Sequence, residues 1–143
     1  IVYQAKRYEV KGKQYLKTLE KYYMVDIGLR NTMLGNTGQA DTGHILENVI
    51  YLELIRRGYR VYVGKVDNLE VDFVAMDESG LRYIQAAATV REIGTLEREL
   101  KPLQKIADNY PKCIMTLDID PPADYEGIRR FNALDYLLGK IDF

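Results

Sequence analysis

The sequence predicts an α/β domain with a mixed central sheet flanked by helices, its core running helix, three strands, helix, strand. Three observations predict it. Residues 43–57 read as one helix that stops at Gly58, the residue type that most readily takes the left-handed turn after a helix. Residues 59–65, 69–76 and 81–89 then read as three strands. Last, the spacing Leu96, Leu100, Leu103, Ile106 gives a second amphipathic helix, and the apolar run 112–117 follows it as a strand. A strand reached through a helix is expected to join the sheet in parallel.

Taken in order, residues 8–16 suggest a hairpin turning at Lys11-Gly12-Lys13, and residues 21–26 an aromatic-rich strand. Asp26 to Arg30 reads as a helical turn. Asn31 to Asp41, with Gly35, Asn36, Thr37 and Gly38, reads as a loop. Asp41 or Thr42 can cap the 43–57 helix. On that helix Glu53, Arg56 and Arg57 share one arc and predict a solvent face. Glu47 lies about 120° from Glu53. With His44 and Asn48, which are i, i+4 partners, it makes a second polar patch on the first turns. The patch either satisfies the loop or points into a cleft over the sheet.

Alternation in 69–76 predicts Leu69, Val71, Phe73 and Ala75 on one face and Glu70, Asp72, Val74 and Met76 on the other. Asp77-Glu78-Ser79-Gly80 is a turn sequence. A hairpin symmetric about Glu78 and Ser79, without a bulge at Gly80, sets Asp72 opposite Gln85 and Glu70 opposite Ala87, with Cβ atoms about 5 Å apart. Pro102 is expected to kink the helix that starts at Thr95. Asp118, Asp120 and Asp124 form an acidic turn with calcium-like spacing, but Pro121 and Pro122 and the lack of an EF-hand loop make solvated acids the expectation. A short helix over 132–138 closes at Gly139.

The 143 residues carry 47% hydrophobic and 29% charged residues and a net charge of −1, which speaks against a uniformly basic nucleic-acid binder. The charge is uneven: residues 1–35 hold seven basic against three acidic side chains, a balance of +4. No apolar run is long enough to cross a membrane. A single cysteine, Cys113, forms no internal disulfide and reads as a buried thiol in a cytoplasmic protein. One Cys and one His exclude a structural zinc site. The chain opens at Ile1 with the look of a fragment. Residues 1–25 read as the end of an upstream segment or an N-terminal hairpin, and 26–143 as the main domain.

The αβββαβ order, with Glu47 on the helix, Asp72 on the second strand and Gln85-Ala86-Ala87 on the third, resembles the core of the PD-(D/E)XK nucleases, a restriction-endonuclease-like fold. The resemblance implies that Glu47 and Asp72 match the acids that bind Mg²⁺. Gln85 stands where the acid of the third strand belongs and Ala87 where its lysine belongs. The strings KYYMVDIGLRN, HILENVIYLELIRRGYRVYVGK, EVDFVA, YIQAAATV and TLERELKPLQKI also resemble the uncharacterised C-terminal domain of bacterial and archaeal AAA-type P-loop ATPases. That resemblance implies an upstream ATPase domain of the same chain as partner. ATP would bind there, since this chain has no G-x-x-x-x-G-K-[ST].

Three functions follow as expectations. The first is a catalytically degenerate nuclease-fold accessory domain, with no catalytic residues, acting in nucleic-acid or partner recognition. The second is a Mg²⁺-dependent DNA endonuclease whose lysine is displaced, to Lys65 or Arg82. The third is a protein–protein or oligomerisation module with neither metal nor DNA. No cofactor is expected in this chain beyond a weak Mg²⁺ site on Glu47 and Asp72, with Glu70 as a third carboxylate. Magnesium is commonly held by one or two carboxylates and the substrate's phosphates.

Overall fold

Gly58 ends the long helix as its position demands. The computed structural model, which describes residues 2–35 and 42–143, places it at φ +90°. Its N–H donates to Ile55 O at 2.9 Å and the Tyr59 N–H to Leu54 O at 3.1 Å, the paired bonds of a Schellman motif. Around this helix the elements run β1 (Val2–Glu9), β2 (Gln14–Met24), α1 (Ile27–Leu34), α2 (Thr42–Arg56), β3 (Arg60–Val66), β4 (Leu69–Asp77) and β5 (Gly80–Ala87). Then come α3 (Ile93–Gln104), β6 (Lys112–Thr116), β7 (Ala123–Tyr125), β8 (Ile128–Asn132) and α4 (Ala133–Leu137). The strands form one sheet in the order β2-β1-β3-β4-β5-β6-β8-β7. Strands β3, β4 and β5 are antiparallel neighbours, whereas β6 is parallel to β5 and β8 to β6. This is an α/β fold with a mixed sheet flanked by helices. No described helix is long and apolar enough to cross a membrane.

Residues 2–24 are a hairpin of the same sheet. Strand β1 pairs in parallel with β3, from Arg7↔Val63 to Glu9↔Lys65. Ala5 and Tyr23 pack with Leu46, Ile50 and Tyr51 of α2, so the boundary expected near residue 25 divides no core. The segment read as a separate strand at 21–26 is the second half of β2. Asp26 caps α1 by accepting from Leu29 N at 2.9 Å, and α1 runs on to Leu34, so the loop expected from Asn31 starts later. The rest of that loop, with the candidate cap Asp41, lies outside the described residues. Thr42, the other candidate cap, is the first residue of α2.

Two apolar layers cover the sheet. On one face α2 packs Leu46, Ile50 and Leu54 against Val61, Val63, Phe73, Ala75 and Ile84. On the other, Leu100 and Leu103 of α3, with Ile106, meet Val66, Val71, Val74, Tyr83 and Ile114. The alternation expected along β4 does not hold throughout. Leu69 and Val71 lie on the α3 side with Val74 and Met76, while Phe73 and Ala75 lie on the α2 side. The β3–β4 register shifts between Tyr62↔Val74 and Gly64↔Val71, which sets two residues, Asp72 and Phe73, opposite Val63 alone. A bulge of this kind resets the two-residue period. Gly64 permits it, because a Cβ there would stand 2.8 Å from Val74 Cγ2 and 2.9 Å from Val71 Cβ.

The β4–β5 hairpin keeps the symmetric register, from Asp77↔Gly80 to Phe73↔Ile84, with no bulge at Gly80. Helix α3 begins two residues before Thr95, and Pro102 falls in its last turn. Residues read as an acidic turn and its continuation contain β7 and β8. Asp118 is buried there, accepting from Val90 N at 2.9 Å, and is not a solvated acid. Asp120 instead pairs with Arg91 at 2.9 Å and Asp124 accepts from Gly127 N at 2.8 Å. The face Glu53–Arg56–Arg57, expected to meet solvent, is partly covered. The Arg57 guanidinium lies 3.9 Å from the Tyr136 ring centre of α4 and donates to Tyr136 O at 2.6 Å. Both Arg56 and Arg57 bond Glu53, holding its carboxyl down at about 2.

Candidate functional site: an acid cluster closed by a lysine

Strand alternation on β2 sends Lys21 and Tyr23 to the same side, toward α2. Tyr23 stacks on Tyr51 of α2, ring centres 4.1 Å apart and planes 11° from parallel. Its hydroxyl donates to Glu47 Oε1 at 2.7 Å. The next residue of the helix, Asn48, accepts from Met24 N at 2.9 Å and donates to Met24 O at 2.8 Å. The amide thus pairs with the last residue of β2 as a neighbouring strand would. Asn48 is therefore not the partner of His44, which is exposed.

These contacts deliver Lys21 into a group of carboxylates. Its Nζ stands 3.1 Å from Glu47 Oε1, 2.5 Å from Glu70 Oε1 and 4.0 Å from Asp72 Oδ1. Arg7 holds the other Glu70 oxygen at 2.9 Å. Burial works to depress the Lys21 pKa, but Glu47, Glu70 and Asp72 outweigh it and keep the group above its ordinary value. An ammonium is the state that three acids select.

Past Phe73 and Ile84, side chains of β4 and β5 bond the backbone of the facing strand. The Asp72 N–H donates to Gln85 Oε1 at 2.7 Å, and the Ala86 N–H donates to Asp72 Oδ2 at 2.8 Å. Gln85 Nε2 then donates across to Glu99 of α3 at 3.2 Å. Burial raises the Asp72 pKa above its ordinary range, and the nearby Glu47 charge adds to this. The Ala86 N–H and Lys21 oppose the shift. Glu99 is raised by burial too, with Arg98 opposing. Burial and Glu47 push the Tyr23 hydroxyl far up, so it stays a donor.

Beside the cluster, a cleft of about 460 Å³ opens between the first turns of α2 and α3, lined by His44, Glu47, Ala86, Ala87, Arg98 and Glu99 among others. The structure thus brings Glu47 and Asp72 together around one ammonium and ties Gln85 to Asp72. Ala87 is 8% exposed and packs with the α3-side core, at the edge of the cleft. Neither Lys65 nor Arg82, the positions expected for a displaced lysine, forms an ion pair with Glu47, Glu70 or Asp72 among the described residues. Arg82 bonds Asp77, Ser79 and Phe143 O at the far end of the hairpin. Lys65 makes no ion pair among the described residues. Sequence reasoning missed Lys21 and Tyr23; the signal available was their i, i+2 spacing in an aromatic strand. Among the described residues no three Asp, Glu, His or Cys side chains converge as ligands for a metal ion.

The chain is 41% identical over 138 residues to an uncharacterised protein of Haemophilus influenzae, an alignment that takes in 96% of this chain and 34% of that protein. It is 35% identical over 104 residues to an uncharacterised protein of Methanocaldococcus jannaschii, covering 70% of this chain and 21% of the other. The chain therefore spans about a third and about a fifth of the curated relatives it matches. No family model matches it, and no solved structure does.

Proposed function

We propose that this chain is a nuclease-fold accessory domain that has lost hydrolysis and serves recognition, of nucleic acid or of a partner, within a longer cytoplasmic AAA-type ATPase whose upstream domain binds ATP. The observation that carries the reading is Lys21 Nζ seated among Glu47, Glu70 and Asp72. Metal-dependent phosphodiester cleavage needs a divalent ion to acidify a water and to stabilise charge on the phosphate oxygens. An ammonium neutralises the same carboxylates but binds no water that it could acidify as a divalent ion does. Gln85, whose amide oxygen could otherwise meet a metal, spends it on the Asp72 N–H. The relatives being two or more times longer than this chain is consistent with an accessory role.

The test is cleavage of single- and double-stranded DNA with Mg²⁺ or Mn²⁺. No cleavage is expected, and the Lys21→Met variant is expected to bind Mn²⁺ more tightly in calorimetry than the parent, because it vacates the carboxylates. A second reading draws on the same lysine: Lys21, displaced onto β2, could serve an active Mg²⁺ endonuclease. Under it the parent cuts DNA and both Lys21→Met and Asp72→Ala abolish cutting. That result would sink the first reading.

A further inference from the structure

The opposite face of the sheet carries a second feature, across β1 and β2 from the Lys21 cluster. Strand β2 pairs with β1 out of step. Ala5 faces Lys21 and Arg7 faces Leu16, so residues 17–20 bulge opposite the single residue Lys6. Beside the bulge, Tyr8, Tyr15 and Tyr62 form a ring cluster. Tyr8 and Tyr15 meet edge-on with ring centres 5.6 Å apart, while Tyr62 lies tilted to both, 5.1 Å from Tyr15 and 6.1 Å from Tyr8. Tyr8 is buried beneath, but Tyr15 is 55% exposed. A groove of about 620 Å³ runs along them, lined by Lys6, Tyr15, Leu16, Lys17, Glu20 and Tyr62.

Charge decides what fits there. Lys6, Lys17 and Arg60 are exposed and make no ion pair among the described residues. Arg60 is near enough to act electrostatically on the Tyr62 hydroxyl. The single acid of the groove, Glu20, already receives the Gln4 amide. The exposed Tyr15 ring beside the half-buried Tyr62, set between unpaired cations, suits a ligand with flat π-faces and a repeating negative charge. A helical duplex hides its base faces, while a single strand offers them.

We propose that this groove binds single-stranded nucleic acid, with Tyr15 and Tyr62 stacking on bases and Lys6, Lys17 and Arg60 meeting phosphates. This names a ligand for the recognition role proposed above, but it stands on the other face of the sheet, so its failure leaves the Lys21 reading in place. The full chain is titrated into a fluorescent oligothymidine of about 16 nucleotides and followed by anisotropy, with a duplex of equal length as control. The single strand is expected to bind more tightly than the duplex. Tyr15→Ser should weaken binding about tenfold and Tyr15→Phe should preserve it, since stacking needs the ring. The double variant Lys6→Gln, Lys17→Gln should flatten the slope of log affinity against log salt by about 1.4. Absence of binding at low salt overturns the proposal, as does equal affinity for the duplex or an unchanged salt slope in the double variant. Polyglutamate bound as tightly as the oligonucleotide, with the same loss in Tyr15→Ser, would overturn it in favour of an acidic protein partner.

Discussion

The Asp72 N–H donates to the Gln85 side-chain oxygen at 2.7 Å, so a buried side chain of β5 closes the gap between two strands. The bond has an energetic consequence. Gln85 is 4% exposed, and its amide joins Asp72 on β4 to Glu99 on α3. Gln85→Ala leaves the part-buried Asp72 N–H without its acceptor and is expected to lower stability by about 1–3 kcal/mol in urea unfolding. An unchanged midpoint would mean that water or a strand shift takes over the bond.

Tyr23→Phe keeps the stack on Tyr51 and removes one hydrogen bond to the Glu47 carboxylate. The expected loss is about 1.5–3 kcal/mol, the range for a bond to a charged group. Thermal unfolding of both proteins measures it. A loss below about 0.5 kcal/mol would show that Lys21 alone holds Glu47.

Gly64→Ala forces a methyl against Val74 and Val71 at the β3–β4 bulge. Overpacking of this kind costs about 1–3 kcal/mol. The chemical shifts of Val71 and Val74 methyl groups should move with it, and a variant as stable as the parent would place the bulge elsewhere.

Asp72 and Glu53 give opposite pH dependences. Asp72 is raised above 3.8, so the stability its protonated form confers is complete below that value and is lost as pH rises toward neutrality. Asp72→Asn mimics the protonated carboxyl and should flatten that decline; chemical unfolding of parent and variant at acid and neutral pH compares them. Equal slopes in the two proteins would contradict the assignment.

Glu53 is lowered from 4.5 to about 2, so its contribution is complete above 4.5 and vanishes as pH falls through about 2. Glu53→Gln should therefore be less stable than the parent at neutral pH, with the difference closing in strong acid. A gap that stays constant with pH would assign the effect to packing on Tyr136.

The local signals were legible where one short stretch settles the geometry. Asp77 to Gly80 dictates the hairpin turn, and from it the register Phe73↔Ile84 follows by counting. Gly58 likewise marks the end of α2. Counting failed across the bulge beside Gly64, since one extra residue reverses every face assignment on its far side. It failed also for β7 and β8, where three residues after Pro121-Pro122 and the charged Ile128-Arg129-Arg130 carry no strong pattern.

By itself the sequence determined the types of the central elements from α2 to β6 and the β4–β5 register, and it put forward Glu47 and Asp72, because helix ends, turns and two-residue alternation act over a few neighbouring residues. Only the tertiary structure decided which cation meets those acids. Lys21 lies 26 residues from Glu47, and the two come within 3.1 Å only because Asn48 and Tyr51 dock β2 onto α2. Contacts between elements so far apart depend on how whole strands pack, and no local pattern encodes that.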